Sequence, residues 1–127
     1  MALDPRTLRP RLATGTGGLS GPALRPVALA AVHACYRATG LPIVGMGGVE
    51  TGADALELIA VGASAVALGT VLFADPGAPA RIRRELATEA ASHGFAEPSA
   101  ARGIATGGVA SSADALPKEK EQVGLKV

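Results

Sequence analysis

The feature that most constrains this chain lies in residues 41–70: two short apolar runs, each stopped by glycine, with one helix-length segment between them. Leu41, Pro42, Ile43 and Val44 run into Gly45-Met46-Gly47-Gly48, and Ala65, Val66, Ala67 and Leu68 run into Gly69-Thr70. Short apolar runs without alternation are the pattern of parallel strands buried on both faces. Between them, Thr51 suits a helix N-cap, and Asp54 three residues later offers a weaker form of the reciprocal capping box. Ala55, Leu58 and Ile59 supply an apolar stripe, and Gly62 supplies a stop. The expectation is a βαβ unit whose two strands both end in glycine.

That ending points to chemistry. Ligands of parallel α/β folds sit at the carboxyl ends of the strands. Glycine there lets the backbone come close to an anion and aim bare N–H groups at it. For either glycine turn alone, a tight connection from strand to helix is the better reading. Gly47-Gly48 and Gly69-Thr70 together, at successive strand ends and with one hydroxyl, predict a two-sided phosphate cradle.

Length makes the unit look incomplete. A (β/α)₈ barrel takes about 250 residues, and this chain has 127. It has room for one domain, and two parallel strands leave both outer edges of a sheet unpaired. Aromatic residues are only 2% of the chain, so Ala, Val, Leu and Ile must build the core. The net charge of +1, with basic residues scattered, gives no footprint for nucleic acid. No apolar run approaches membrane-spanning length and no signal-peptide layout opens the chain, so a cytoplasmic protein without a membrane partner is expected. The single Cys35 excludes an internal disulfide framework and suits a reducing compartment.

The flanking segments carry weaker signals. Asp4-Pro5-Arg6-Thr7 reads as a turn between two short extended pieces: a small hairpin, a loop excursion over a site, or a solvated surface loop. Residues 15–21, GTGGLSG, are not a dinucleotide fingerprint, because Ser20 stands where the third glycine belongs; Glu50 breaks the pattern in residues 45–50 in the same way. No lysine follows either cluster as a P-loop requires. A helix is expected over residues 22–39, with Pro22 and Pro26 in its first turn and Gly40 as its stop. Val27, Ala31, Ala34 and Ala38 form one stripe, with Ala28, Val32 and Cys35 beside it. His33 and Cys35, two apart, point in different directions and read as a surface histidine and a packed thiol.

A further helix is expected from Asp75 or Gly77, with Ile82, Leu86, Ala90 and His93 on one face and Gly94 at its end. Arg81, Arg83, Arg84 and Glu85 read as a solvated face, and His93 suits the helix dipole. Residues 96–127 show no sustained period and are expected to be an irregular, flexible tail.

Four linked motifs resemble one family. Gly17-Gly18-Leu19-Ser20-Gly21-Pro22-Ala23, Gly45-Met46-Gly47-Gly48-Val49, Gly62-Ala63-Ser64-Ala65-Val66, and Gly69-Thr70 with Phe73-Ala74-Asp75-Pro76 are similar in order and spacing to the C-terminal part of dihydroorotate dehydrogenase. The GLSGPALRP form resembles the NAD-linked bacterial subclass, whose flavin subunit works beside an iron–sulfur/FAD electron-transfer subunit. The resemblance covers about residues 1–95 and implies an α/β fold, the C-terminal part of an FMN-binding (β/α)₈ TIM barrel with about two core parallel strands and flanking helices. It implies oxidation of dihydroorotate to orotate in pyrimidine biosynthesis. By the same resemblance FMN contacts fall on Gly21, Gly47, Gly48, Gly69 and Thr70. The last four coincide with the phosphate cradle read from the residues, and Gly21 rests on the resemblance alone.

The departures shape the expectation equally. The family's general base, a cysteine or serine, lies on an earlier loop in a region that this chain lacks, and Cys35 does not replace it. The flavin-contacting lysine and most of the substrate-binding asparagines also belong to that region. Half an FMN site, no catalytic residue, no metal site and no activity in isolation are therefore expected. Unpaired sheet edges favour an oligomer. The alternatives are a fragment of a related flavin barrel such as dihydropyrimidine dehydrogenase, a non-catalytic phosphate- or flavin-binding or packing module, or another phosphate-binding barrel such as a thiazole synthase or an isomerase.

Overall fold

The computed structural model describes residues 1–107. Its elements are α1 (Arg25–Thr39), β1 (Val44–Met46), α2 (Gly52–Ala60), β2 (Ala65–Ala67), α3 (Val71–Ala74) and α4 (Ala78–Ser92), with 3₁₀ turns at Pro22–Leu24, Pro98–Ala101 and Ile104–Thr106. The expected βαβ unit is present: β1 and β2 pair in parallel, with Val44 opposite Ala65 and Met46 opposite Ala67.

The α2 helix begins where the sequence places it. The Thr51 side chain accepts from the Asp54 N–H at 3.2 Å. One Asp54 carboxylate oxygen accepts from the N–H groups of Thr51 and Glu50, each at 2.9 Å. Three backbone donors that no helical carbonyl can reach are thereby satisfied. Asp54 is buried and also pairs with Arg25, at the start of α1. The helix is enclosed on nearly every side, with Ala55, Leu56, Leu58 and Ile59 all buried.

The first strand differs from its expected position. It covers Val44–Met46 rather than residues 41–44, with Gly45 inside it. A β-carbon on Gly45 would lie 3.0 Å from that of Ala63 and 3.3 Å from that of Leu58. Glycine here is the seat of the helix on the strand, not the end of the strand. Burial on both faces is also corrected: Val44 and Met46 are 62% and 61% exposed. The α2 side of the sheet is covered, and among the described residues nothing covers the other. In a closed barrel that second face points inward.

The buried face of α1 is corrected too. Ala28 and Val32 are buried, but Val27 is exposed, and so is Cys35, which is not a packed thiol. Alanine-rich helices offer apolar atoms on every side, so a large side chain decides the rotation. Here it is Tyr36: a β-carbon on Gly62 would fall 2.2 Å from its ring, and one on Gly103 would fall 2.7 Å from its hydroxyl oxygen. The Arg102 guanidinium sits over the same ring, 5.4 Å from its centre, and its Nε donates to the Gly62 carbonyl at 3.1 Å.

Those contacts come from a stretch expected to be irregular from residue 96. Two 3₁₀ turns instead carry residues 98–106 across α2 and α4, burying Ala101 and Thr106. Gly103 donates its N–H to the Ile59 carbonyl at 3.1 Å. Residues 108–127, the remainder of the expected tail, lie outside the described residues. At the other end, Leu3 and Pro10 form an antiparallel bridge and Asp4 accepts the N–H groups of Arg6 and Thr7, so the first segment is a small hairpin.

Candidate functional site

Because β1 and β2 are parallel and in register, the turns that follow them emerge at the same edge of the sheet. Between these turns and the loop before α1 lies a cleft of about 370 Å³. Gly21, Gly47, Gly48, Gly69 and Thr70 all border it, together with Ser20, Met46, Glu50 and Val71. The structure thus brings all five sequence-selected positions to one place. His33 and Cys35 lie away from it on α1, and His93 closes α4, where its Nε2 is 3.4 Å from Glu89 Oε1.

The two glycine turns are built differently. Gly48 has a φ of +73°, and a β-carbon on it would lie 2.9 Å from both the Gly21 carbonyl oxygen and the Arg25 nitrogen. Gly47, at φ +120°, would meet Ala28 at 2.9 Å. The start of α1 therefore packs directly onto the first turn, and no side chain fits between them. Gly69 has no left-handed φ, and nothing stands within 4 Å of where its β-carbon would be. The fold of the described residues does not require glycine at that position.

Polarity in the cleft comes from the backbone. Among the described residues, none of the turn and loop hydrogen bonds uses the N–H of Gly48, Gly69 or Thr70 as its donor. Among the described residues Glu50 is the one charged residue lining the cleft, and none of the lining residues is a cysteine, histidine or lysine. An anion there would meet N–H dipoles and the Thr70 hydroxyl in place of a basic side chain. Among the described residues no group of three or more His, Cys, Asp or Glu side chains could hold a metal ion, and no helix is long and apolar enough to cross a membrane.

The sequence pattern missed the polar bridge behind the cleft. Arg81 and Glu85, read as a solvated face, tie α4 to the first turn of α2: Glu85 Oε2 accepts from the Gly52 N–H at 2.8 Å, and Glu85 Oε1 accepts from Arg81 at 2.8 Å. The Arg81 guanidinium and the Gly52 N–H together hold the Glu85 carboxyl below its ordinary value, and Glu85 and Asp75 raise that of Arg81. The Glu85–Gly52 bond spans 33 positions, beyond any local periodicity.

Known proteins resemble this chain in sequence and in fold. The family model described as dihydroorotate dehydrogenase matches residues 1–89. The chain is 50% identical over 97 residues to the dihydroorotate dehydrogenase B (NAD(+)) catalytic subunit of Geobacter sulfurreducens, covering 76% of this chain and 32% of that protein. It is 57% identical over 76 residues to the protein of the same name from Bacillus mycoides, covering 60% of this chain and 25% of the relative. A provisionally named dihydroorotate dehydrogenase A (fumarate) of Solibacter usitatus is 54% identical over 86 residues, covering 68% and 28%. The crystal structure of the ligand-free DHODH of Eimeria tenella matches with a TM-score of 0.68 at 34% identity, covering 80% of this chain and 29% of that one. The chain spans 25% to 32% of the length of these curated relatives.

Proposed function

Because this chain belongs to the dihydroorotate dehydrogenase family, we propose that its cleft holds the phosphate end of FMN in an enzyme that oxidises dihydroorotate to orotate, a step of pyrimidine biosynthesis. The observation that carries this is the open space at Gly69, beside N–H groups that no turn or loop carbonyl among the described residues takes up. A glycine that the fold does not need, at the carboxyl end of a parallel strand, suits close approach of a ligand. The residues present fit a phosphate: Gly48, Gly69 and Thr70 offer backbone donors, Thr70 adds a hydroxyl, Gly21 leaves open space where a side chain would stand, and Gly47 lets α1 pack against the first turn. When bound, FMN would supply the two-electron acceptor.

This chain's own part is binding and orientation. Proton removal from the substrate needs a base within hydrogen-bond reach of the carbon. That role is assigned to the remainder of the parent enzyme, and these 127 residues alone are inactive. The barrel part is taken as residues 1–95, with the following segment as an addition to it. The enzyme is cytoplasmic and oligomeric, has dihydroorotate as its small-molecule substrate, and has no nucleic-acid or membrane partner.

Relatives named as NAD(+)-linked catalytic subunits support electron transfer through an iron–sulfur/FAD partner subunit. The relative named for fumarate supports a second reading, direct reoxidation by fumarate. Reoxidation of the reduced parent enzyme by fumarate in the absence of any partner separates the two.

Titration of the purified chain with FMN, followed by flavin fluorescence, tests the site. Saturable binding that is lost in Gly69→Val is the expected result. A folded chain with no saturable binding would remove the cleft assignment.

A further inference from the structure

One guanidinium touches the segments that follow both turns of the cleft. Arg81, in the first turns of α4, donates from Nε to Asp75 Oδ2 at 2.9 Å and from Nη1 to the Glu50 carbonyl at 3.2 Å. Glu50 lines the cleft and follows Gly47-Gly48-Val49. Asp75 closes α3, the single helical turn that begins just after Gly69-Thr70. Asp75 is itself held, giving its N–H to the Val71 carbonyl at 2.8 Å and accepting the Gly77 N–H at 2.9 Å. The same Nη1 also donates to Glu85 Oε1 at 2.8 Å, and Glu85 holds the Gly52 N–H with its other oxygen.

We propose that Arg81 is a positioning residue for the cleft, a clasp that sets the separation of its two glycine turns; this rests on the cleft being the phosphate site proposed above. The β1–β2 ladder joins the strands but stops at Met46 and Ala67, before either turn. Beyond it α1 holds the first turn, whereas Gly69 in the second stands in open space, so the spacing of the two depends on what ties the second segment to the first. Arginine suits that task because its donors lie in a rigid planar fork, whereas a lysine ammonium is a single point on a flexible stem. Arg81 does not line the cleft and acts only through Glu50 and Asp75.

The test compares FMN with riboflavin, which lacks the phosphate, on the chain and on Arg81→Met, Arg81→Lys and Arg84→Met. Arg84 is exposed on the same helix and belongs to none of the ion pairs among the described residues, so its variant controls for loss of charge. The expected result is an FMN preference reduced about tenfold in Arg81→Met, partly restored in Arg81→Lys and unchanged in Arg84→Met. A variant that had simply lost structure would bind both flavins worse by the same factor.

Amide hydrogen exchange gives a readout that needs no ligand. Faster exchange in residues 47–50 and 69–75 of Arg81→Met is expected. Exchange and flavin preference both equal to wild type would overturn the clasp. If the wild type itself does not prefer FMN, the phosphate-site reading fails, and unchanged exchange in Arg81→Met would then overturn the clasp by itself.

Discussion

Gly47-Gly48 and Gly69-Thr70 look alike in the sequence and occupy equivalent places after parallel strands, yet the structure treats them differently. The first turn is filled from behind: α1 packs on it so closely that Gly48 has backbone atoms 2.9 Å from where a β-carbon would stand. The second turn stands in open space. Packing explains glycine at the first position whether or not a ligand ever binds. At the second it explains nothing, and the absence of a side chain there is the stronger sign of a ligand. A glycine at a strand end is thus ambiguous until the room around it is known.

Substitution separates the two most sharply. Gly48→Val combines a left-handed φ with a clash against backbone, and should cost about 3–5 kcal/mol, seen as a large drop in the urea midpoint. An unchanged midpoint would show that the first turn is no more packed than the second.

A smaller effect is expected from acid. The N–H of Gly52, just beyond the first turn, is held by Glu85, whose carboxyl lies below its ordinary 4.5. A depressed folded value means that this contribution is complete above pH 4.5 and is lost as pH falls through the lower folded value. Glu85→Gln should flatten the acid limb of the stability curve. It should do so only in part, because Asp4 is lowered as well by the N–H groups of Thr7 and Arg6. An acid limb unaltered by the substitution would remove Glu85 from the support of the first turn.

The smallest change in stability belongs to Gly69→Ala. With no left-handed φ and no neighbour to meet, the variant should stay within about 0.5 kcal/mol of the parent in thermal or urea unfolding. Its FMN affinity should nevertheless fall. Full retention of binding in Gly69→Ala would return this glycine to the ordinary turns.

The same contrast explains what was legible beforehand. The βαβ unit could be read because its signals are local: apolar runs, glycine stops, and the Thr51/Asp54 cap three residues apart. The start of β1 was misplaced because Gly45 looks like punctuation, whereas it is the point where Leu58 and Ala63 come down on the strand. The face of α1 was unreadable because alanines surround it, and its rotation is decided by Tyr36 meeting Gly62 and Gly103, one of them in a distant turn. Residues 98–106 gave no period because they dock through Ala101 and a glycine backbone, not through a stripe. Arg81 and Glu85 were charged residues in a helical row, and nothing local marks Glu50 and Gly52, more than thirty positions earlier, as their partners.

The register of the two strands also bears on how the chain reaches this state. Val44 and Ala65 are joined by a connection of about twenty residues, nine of them a helix with its own cap. Closing so short a loop carries a small entropic cost, which grows only with the logarithm of length. Pairings of low sequence separation are also the ones that form quickly. The edge that carries both glycine turns is therefore built from neighbouring chain, and its closure uses no contact from a distant part of a barrel.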